Sequence, residues 1–257
     1  MFTNGRMGHR IALAIACMVF LLATSHAAAM NITGWWRMET DNDPGAGYSV
    51  PNEVIDGPAL IGSNGAVQSP VPVNPLTQPP MLANNSALRG DNNVNGQIAQ
   101  YSGLDVTSGT FEFFARSTEG TADFLIRQNG NLGLRIFNPN DLRVQYSTPS
   151  GQVELDSNTN FGSAWEHVAF TYDEVTGVGS VFIDGVLADS NDGPDNQPLT
   201  WPSEPLLVGD GLDGGGSLID ESTIDEVRIA NVALPTTQFL NGSAAAPPLI
   251  ILPPPPP

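Results

Sequence analysis

The sequence predicts an all-β fold, a two-sheet antiparallel jelly-roll sandwich, on three observations. Short runs of alternating apolar and polar residues recur along the chain, and almost no segment sustains the 3.6-residue apolar period of a helix. Gly, Asn, Asp or Pro bounds each run, as is typical of strands joined by tight turns. The runs extend over roughly 200 residues, a length that one jelly roll or sandwich can reach.

Residues 1–29 have the order of a secretory signal peptide. Two arginines precede the apolar run 11–23, and three alanines at 27–29 supply a cleavage site of small residues. The apolar run is short for a membrane span. We therefore expect a mature chain that begins at Met30 and is secreted or held at the cell surface.

Cleavage of that segment would change the chemistry open to the chain. The single cysteine, Cys17, lies in it together with His9 and His26, which leaves His167 as the one mature histidine. The mature chain would then lack a disulfide, a thiolate nucleophile and a zinc site built from cysteine or several histidines.

The charge of the chain excludes two classes of partner. The formal net charge is -18, and all nine basic residues are arginine. A surface this acidic repels phosphate backbones and anionic lipids. We expect no nucleic-acid partner and no membrane insertion after signal cleavage.

The predicted strands follow in chain order, and their alternation assigns one face to the core. Leu132, Leu134 and Ile136 share a face in their strand, as do Leu142, Val144 and Tyr146 in the next. The predicted strands are TFEFFAR (110–116), ADFLIRQ (122–128), LGLRIF (132–137), DLRVQYS (141–147), WEHVAFTYD (165–173), VGSVFID (178–184) and TIDEVRIA (223–230). Asp184-Gly185 predicts a two-residue hairpin turn after VGSVFI, because both residue types accept a positive φ.

Two regions differ from this pattern. Residues 44–97 carry little periodic signal and predict long surface loops. Residues 243–257 form a proline-rich tail that we expect to be extended and disordered, either a spacer or the point where a longer protein was cut. The predicted domain is therefore 30–242.

Three motifs suggest chemistry and have simpler structural interpretations. GDGLDG (209–214) fits a dinucleotide fingerprint, but no helix-forming segment follows it, so a glycine-rich turn is favoured. The acidic loops 41–47 and 189–196 have the composition of calcium loops without the EF-hand spacing, and solvated turns are the default. His167 shares a strand face with Trp165 and Ala169, which favours a structural histidine.

The stretch STIDEVRIANVALP (222–235) places two acids in an apolar run. A retaining glycosidase needs two carboxylates about 5 Å apart. Asp225 and Glu226 should point to opposite faces of a strand, and Glu221 would lie about 13 Å from Asp225. Alternation also puts Val227 and Ile229 on the face of Asp225, and predicts a Glu226–Arg228 pair on the other face.

The segments WEHVAFTYD, GSVFIDGVLADS, PLLVG and IDEVRIANVAL resemble the laminin G-like, concanavalin A-like lectin/glucanase jelly-roll family over roughly residues 31–242. The resemblance implies carbohydrate or surface recognition. It also implies that Asp225 corresponds to a structural Ca²⁺ ligand, with backbone carbonyls near residues 38–40, or otherwise caps backbone amides. The acidic motif of the family's glucanases is missing.

The predicted function is a non-catalytic secreted domain that binds a polysaccharide or a cell-surface glycan or protein. Trp201, in the loop LTWPSEP, is the candidate exposed sugar-stacking residue, whereas Trp35, Trp36 and Trp165 are expected in the core. The alternatives are an adhesive surface protein that binds protein partners and a glycoside hydrolase of the same fold.

Overall fold

The described residues form sixteen β-strands arranged in two antiparallel sheets. The computed structural model describes residues 32–38, 49–54, 57–62, 67–70, 86–89, 96–98, 101–117, 122–127, 132–137, 141–160, 164–209 and 223–241. The predicted signal peptide, the proline-rich tail and the acidic loop 41–47 lie outside these ranges. All sixteen strands belong to one compact unit, Ile32–Ala245.

The first sheet contains eight strands. They are β1 (Ile32–Trp36), β4 (Val67–Pro70), β5 (Ser86–Arg89), β7 (Gly109–Arg116), β12 (Glu166–Asp173), β13 (Val178–Ile183), β14 (Val186–Asp192) and β16 (Thr223–Ala230). Their order is β14-β13-β12-β7-β16-β5-β4, with β1 also paired to β16. The closing strand β16, late in the chain, therefore lies beside β1, β5 and β7 from the first half of the chain.

The second sheet also contains eight strands. They are β2 (Ser49–Val50), β3 (Leu60–Gly62), β6 (Gly96–Ile98), β8 (Ala122–Arg127), β9 (Leu132–Phe137), β10 (Asp141–Thr148), β11 (Gly151–Asn160) and β15 (Leu206–Val208). Their order is β11-β10-β9-β8-β15-β6-β3-β2. This arrangement confirms the predicted antiparallel sandwich.

The prediction of long loops over residues 44–97 is wrong in part, because five short strands lie there. β2, β3, β4, β5 and β6 are two to four residues long. Strands this short cannot display a repeated alternation, so periodicity does not reveal them.

One main core fills the space between the sheets. The first sheet contributes Phe111, Phe113, Val168, Phe170 and Val181, and the second contributes Phe124, Leu132, Leu134, Leu142, Val144 and Tyr146. The predicted core faces of β9 and β10 are thus confirmed where their side chains are described. Trp35 and Trp36 are buried as predicted, but Trp165 is only half-buried, with Arg116 over its ring.

The hairpin between β13 and β14 has the predicted two-residue turn. Ile183 pairs with Val186, which leaves Asp184 and Gly185 at φ values of 52° and 77°. Both residues are in the left-handed region that a tight hairpin turn requires. Among the described residues no helix has the length and hydropathy needed to cross a membrane.

Candidate functional site: the polar face of the second sheet

The outer side of β10 and β11 is a polar surface, which we call the polar face: Arg143, Gln145, Glu154 and Asp156. Each residue alternates with a core residue, since Leu142, Val144 and Tyr146 point into the sandwich from β10 and Leu155 does so from β11. In the antiparallel register Arg143 lies opposite Asp156, and Gln145 lies opposite Glu154. Directly opposite residues are the closest neighbours on a sheet face, so these four side chains meet.

Glu154 joins the side chains of the polar face. Gln145 Nε2 donates to Glu154 Oε2 at 2.8 Å, and Arg143 Nε lies 3.2 Å from Glu154 Oε1. Arg143 Nη2 donates a longer hydrogen bond of 3.5 Å to Asp156 Oδ2. The Glu154 and Asp156 side chains are 43% and 39% exposed, so solvent or a ligand can reach them.

A third acid, Asp141, borders the polar face where β11 departs from regular pairing. The register shifts between Asp141 and Arg143, and Asn158 on the facing strand has a φ of 49°. Ser157 Oγ donates to Asp141 Oδ1 at 2.9 Å. Partial burial and the neighbouring Asp156 carboxyl raise the pKa of Asp141, because two adjacent carboxyls resist ionising together.

The outer side of the first sheet is covered by the chain itself. Leu234 and Phe239, which follow β16, pack on Ala169 and Ala230 in a second apolar cluster. Thr110 Oγ1 donates to the Val232 carbonyl and accepts from the Leu234 N–H, both at 2.8 Å. The segment after β16 therefore occupies the face that β7, β12 and β16 would otherwise expose.

A buried ionic cluster anchors this covering segment. Glu112 Oε1 accepts a 2.6 Å hydrogen bond from Arg228 Nε, and its Oε2 lies 2.8 Å from His167 Nε2. Glu112 Oε2 also accepts from the Leu240 N–H at 2.9 Å, while Arg228 Nη2 donates to the Gln238 carbonyl at 2.7 Å. His167 is fully buried between Phe114 and Phe239, so its role is structural, as the sequence predicts.

The predicted geometry of the acid pair in β16 is wrong, because a β-bulge interrupts the alternation. Asp225 pairs with Phe114 and Arg228 with Glu112, so three steps along β16 match two steps along β7. Glu226 takes a φ of 53° at this extra position. As a result Ile224 and Val227 both reach the main core, although regular alternation would place them on opposite faces.

The bulge also gives each charged residue a different partner from the predicted one. Arg228 pairs with Glu112 rather than with Glu226. The Glu226 carboxylate instead accepts from Trp35 Nε1 at 2.7 Å and from Arg37 Nε at 3.1 Å. Both acids of the stretch are buried in structural contacts.

Asp225 makes the amide cap that the sequence offered as one of its two roles. Its Oδ1 accepts the Glu226 N–H at 2.7 Å, and the residue is buried. The described residues contain no group of three His, Cys, Asp or Glu side chains able to hold a metal. A Ca²⁺ ion at Asp225 would therefore depend on backbone oxygens, and the expected partners at residues 39–40 lie outside the described ranges.

Trp201 is half-buried, whereas the sequence predicts an exposed side chain. Its indole Nε1 donates to the Val106 carbonyl at 2.7 Å, and its ring lies 5.7 Å from that of Phe111. The Arg127 guanidinium covers the ring at 5.0 Å and also binds Asp105 at 2.6 Å. Packing against the core explains the difference, because a loop tryptophan next to an apolar edge buries its ring.

The polar face is not among the sites that the sequence motifs predict. Its signal was present, because assigning Leu142, Val144 and Tyr146 to the core leaves Arg143 and Gln145 on the other side of β10. The pairing with Glu154 depends on the two-residue connection Pro149–Ser150, which sets the register of β10 and β11.

Comparison with known families gives one match that covers more than half of the chain. Residues 90–238 match the family described as Concanavalin A-like lectin/glucanases superfamily (Laminin_G_3). No curated protein matches the chain significantly.

Solved structures with the same fold include domains from bacterial extracellular enzymes and toxins. Domain 4 of AbnA, a GH43 extracellular arabinanase from Geobacillus stearothermophilus solved with arabinotriose, has a TM-score of 0.57 and 15% identity, covering 81% of this chain and 96% of that one. The binding domain of Paraclostridial Mosquitocidal Protein 1 has a TM-score of 0.55 and 12% identity, over 80% and 50% of the two chains. The binding domain of botulinum neurotoxin DC in complex with SialylT has a TM-score of 0.54 and 11% identity, over 80% and 49%. The chain thus spans about half the length of these toxin domains.

Proposed function

Because the chain belongs to the concanavalin A-like lectin/glucanases superfamily, we propose that it is a secreted, non-catalytic domain that binds carbohydrate on its polar face. One observation carries this proposal. The outer side of the first sheet is covered by the segment after β16, whereas Arg143, Glu154 and Asp156 on the second sheet remain partly exposed.

The chemistry of the polar face suits sugar hydroxyls. A hydroxyl both donates and accepts hydrogen bonds, and this face sets carboxylate acceptors beside guanidinium and amide donors. The contacts among Arg143, Gln145 and Glu154 limit their motion before a ligand arrives, which lowers the entropic cost of binding. The complex of the AbnA domain with arabinotriose supports a glycan as the ligand class.

The proposed absence of catalysis rests on the buried acids. Asp225 caps a backbone amide, Glu226 binds Trp35 and Arg37, and Glu112 binds Arg228 and His167. Carboxylates held in such contacts are poorly placed to protonate a glycosidic oxygen or attack a sugar.

Secretion and a structural Ca²⁺ ion are parts of the same proposal. The signal-like order of residues 1–29 supports export. Asp225 is buried beside the β16 bulge and next to β1. This position supports a structural role for a Ca²⁺ ion bound there.

One specific observation favours each of two alternatives. Trp201 is partly exposed, which favours the predicted sugar contact at the loop before β15. Val186 and Leu187 are exposed apolar residues on the edge strand β14, which favours a protein partner in the adhesive alternative.

Affinity electrophoresis of the full chain through gels containing soluble polysaccharides tests the proposal. We expect retarded migration in at least one gel and no new reducing ends after prolonged incubation with the same polysaccharide. Unretarded migration in every gel would contradict carbohydrate binding, and release of reducing ends would favour the hydrolase alternative.

A further inference from the structure

We infer that the polar face selects a neutral polysaccharide, with Arg143, Gln145 and Glu154 as its recognition residues. This inference rests on the proposed carbohydrate binding and specifies the class of ligand. It is carried by the balance of charges on β10 and β11 and by the way those charges are already paired.

The polar face and its border carry more negative than positive charge. Among the described side chains here, Asp141, Glu154 and Asp156 supply three carboxyl groups and Arg143 supplies one guanidinium. Arg135, opposite Arg143 in the register of β9 and β10, adds a second formal positive charge and leaves the acids in excess. The whole chain has a formal net charge of -18. A uronate, sulfated or sialylated glycan would approach against this field.

Arg143 does not provide a cationic site for an acidic sugar. Its guanidinium is held by Glu154 on one side and by Asp156 on the other. An anionic group could form a bidentate contact with Arg143 only by displacing these carboxylates. The displaced carboxylates would remain beside the anion on the same small surface. The same pairing of arginine with acid recurs at Arg37, Arg127 and Arg228.

The paired carboxylates also argue against a cationic amino sugar. Both oxygens of Glu154 have partners within the chain, Oε1 with Arg143 and Oε2 with Gln145. An ammonium group would have to replace a guanidinium or an amide that is already in place. What this face offers is a fixed row of donors and acceptors, which matches the hydroxyl groups of an uncharged sugar.

The spacing of the row fits an extended chain of sugars. Alternate residues of a strand lie about 6.7 Å apart, so Arg143, Gln145 and Ser147 repeat polar groups over about 13 Å along β10. A polysaccharide that lies along the strand would meet these groups in succession, whereas a single monosaccharide would meet one or two.

Isothermal titration and affinity electrophoresis of the full chain test the inference with three kinds of probe. The neutral probes are linear arabinan and laminarin, the anionic probe is polygalacturonate, and the cationic probe is chitosan. We expect binding to a neutral probe that persists in 0.5 M NaCl, on the order of the concentration that screens surface charges. Arg143→Ala and Glu154→Ala should each weaken it about tenfold, because each removes a hydrogen bond from a charged group.

Matched variants separate a lost contact from a lost fold. Glu204→Ala removes an exposed acid in the loop before β15 and should leave affinity unchanged. Gln145→Ala removes a partner of Glu154 without changing charge and should weaken binding less than Glu154→Ala. Melting temperatures of all variants should stay close to that of the unmodified chain, since these side chains are outside the core.

Each result separates the inference from the proposed function. Tighter binding to polygalacturonate or chitosan than to the neutral probes would overturn neutral selection and leave carbohydrate binding intact. Neutral binding that survives both Arg143→Ala and Glu154→Ala would overturn the assignment to this face. Failure to bind every probe would overturn the proposed function itself.

Discussion

Glu112 Oε2 lies 2.8 Å from His167 Nε2 in the buried layer between the first sheet and the segment that covers it. The same carboxylate binds Arg228 and the Leu240 N–H. This one side chain therefore connects β7, β12 and β16 to the chain that follows β16.

Replacing Glu112 should destabilise the domain strongly. Glu112→Gln keeps the size of the side chain but leaves the buried Arg228 guanidinium without its carboxylate. We expect the free energy of unfolding to fall by about 3–5 kcal/mol, the usual cost of breaking a buried ion pair. Urea denaturation measures this change, and a loss below about 1 kcal/mol would contradict it.

The same residue should shape the stability of the domain in acid. Burial favours the neutral form, but Arg228, His167 and the Leu240 N–H outweigh it and hold the pKa of Glu112 below its usual 4.5. A lowered folded-state pKa gives stability that is fully present above the unfolded pKa and is lost as pH falls through the folded pKa. Below about pH 4.5 the unmodified chain should lose stability more steeply than Glu112→Gln. Parallel acid profiles for the two proteins would refute this role, and Glu204→Gln serves as the exposed control.

Gly179 and Tyr146 should constrain each other across the sandwich. A Cβ at Gly179 would overlap the Tyr146 hydroxyl, which is buried and has no hydrogen-bond partner among the described residues. Gly179→Ala should cost about 1–3 kcal/mol through overpacking. Tyr146→Phe should be close to neutral, because it removes an unpaired polar group.

The double variant tests this contact directly. Gly179→Ala combined with Tyr146→Phe should recover part of the lost stability, since the hydroxyl is gone but the ring carbon beneath it remains close. Strictly additive changes in chemical denaturation would show that the two residues are not coupled.

Calcium should affect the melting temperature only through Asp225 if the proposed ion binds. The unmodified chain should melt at a higher temperature in CaCl₂ than in EGTA. Asp225→Asn keeps an oxygen able to accept the Glu226 N–H but removes the charge, so this variant should lose the difference. If the unmodified chain melts at the same temperature in both buffers, the calcium proposal is wrong and Asp225 acts only as the amide cap.

The turn of the β13–β14 hairpin should tolerate asparagine better than alanine. Gly185 has a φ of 77°, and the nearest atoms to a Cβ there lie 3.6 Å away, so backbone conformation rather than space is limiting. Gly185→Ala should cost about 1 kcal/mol, and Gly185→Asn should cost less because asparagine enters the left-handed region more readily. Equal melting temperatures for the two variants would contradict this explanation.

Local patterns predicted much of the sandwich, and the candidate site in part. Alternation in DLRVQYS assigned Leu142, Val144 and Tyr146 to the core, and Asp-Gly at 184–185 indicated the hairpin. The outward position of Arg143 follows from the same alternation. Its neighbours Glu154 and Asp156 follow only once the register of β10 and β11 is known.

Alternation failed where one extra residue entered a strand. The bulge at Asp225 and Glu226 depends on how β16 matches β7, and that match is made by hydrogen bonds between segments more than 100 residues apart. A single inserted position reverses every later side chain. The predicted Glu226–Arg228 pair is therefore replaced by two pairs, Glu226 with Arg37 after β1 and Arg228 with Glu112 in β7.

The sequence by itself determined the class of fold, the turns and most core faces, because these depend on residues next to each other in the chain. The tertiary structure decided which charges meet and which sheet face stays open. Glu112 finds His167 and Arg228 only after three distant strands align. The segment after β16 covers one sheet, while Arg143 and Glu154 remain partly exposed on the other. Burial and ionic pairing are properties of that assembly, since an isolated carboxylate avoids the interior unless a partner is already there.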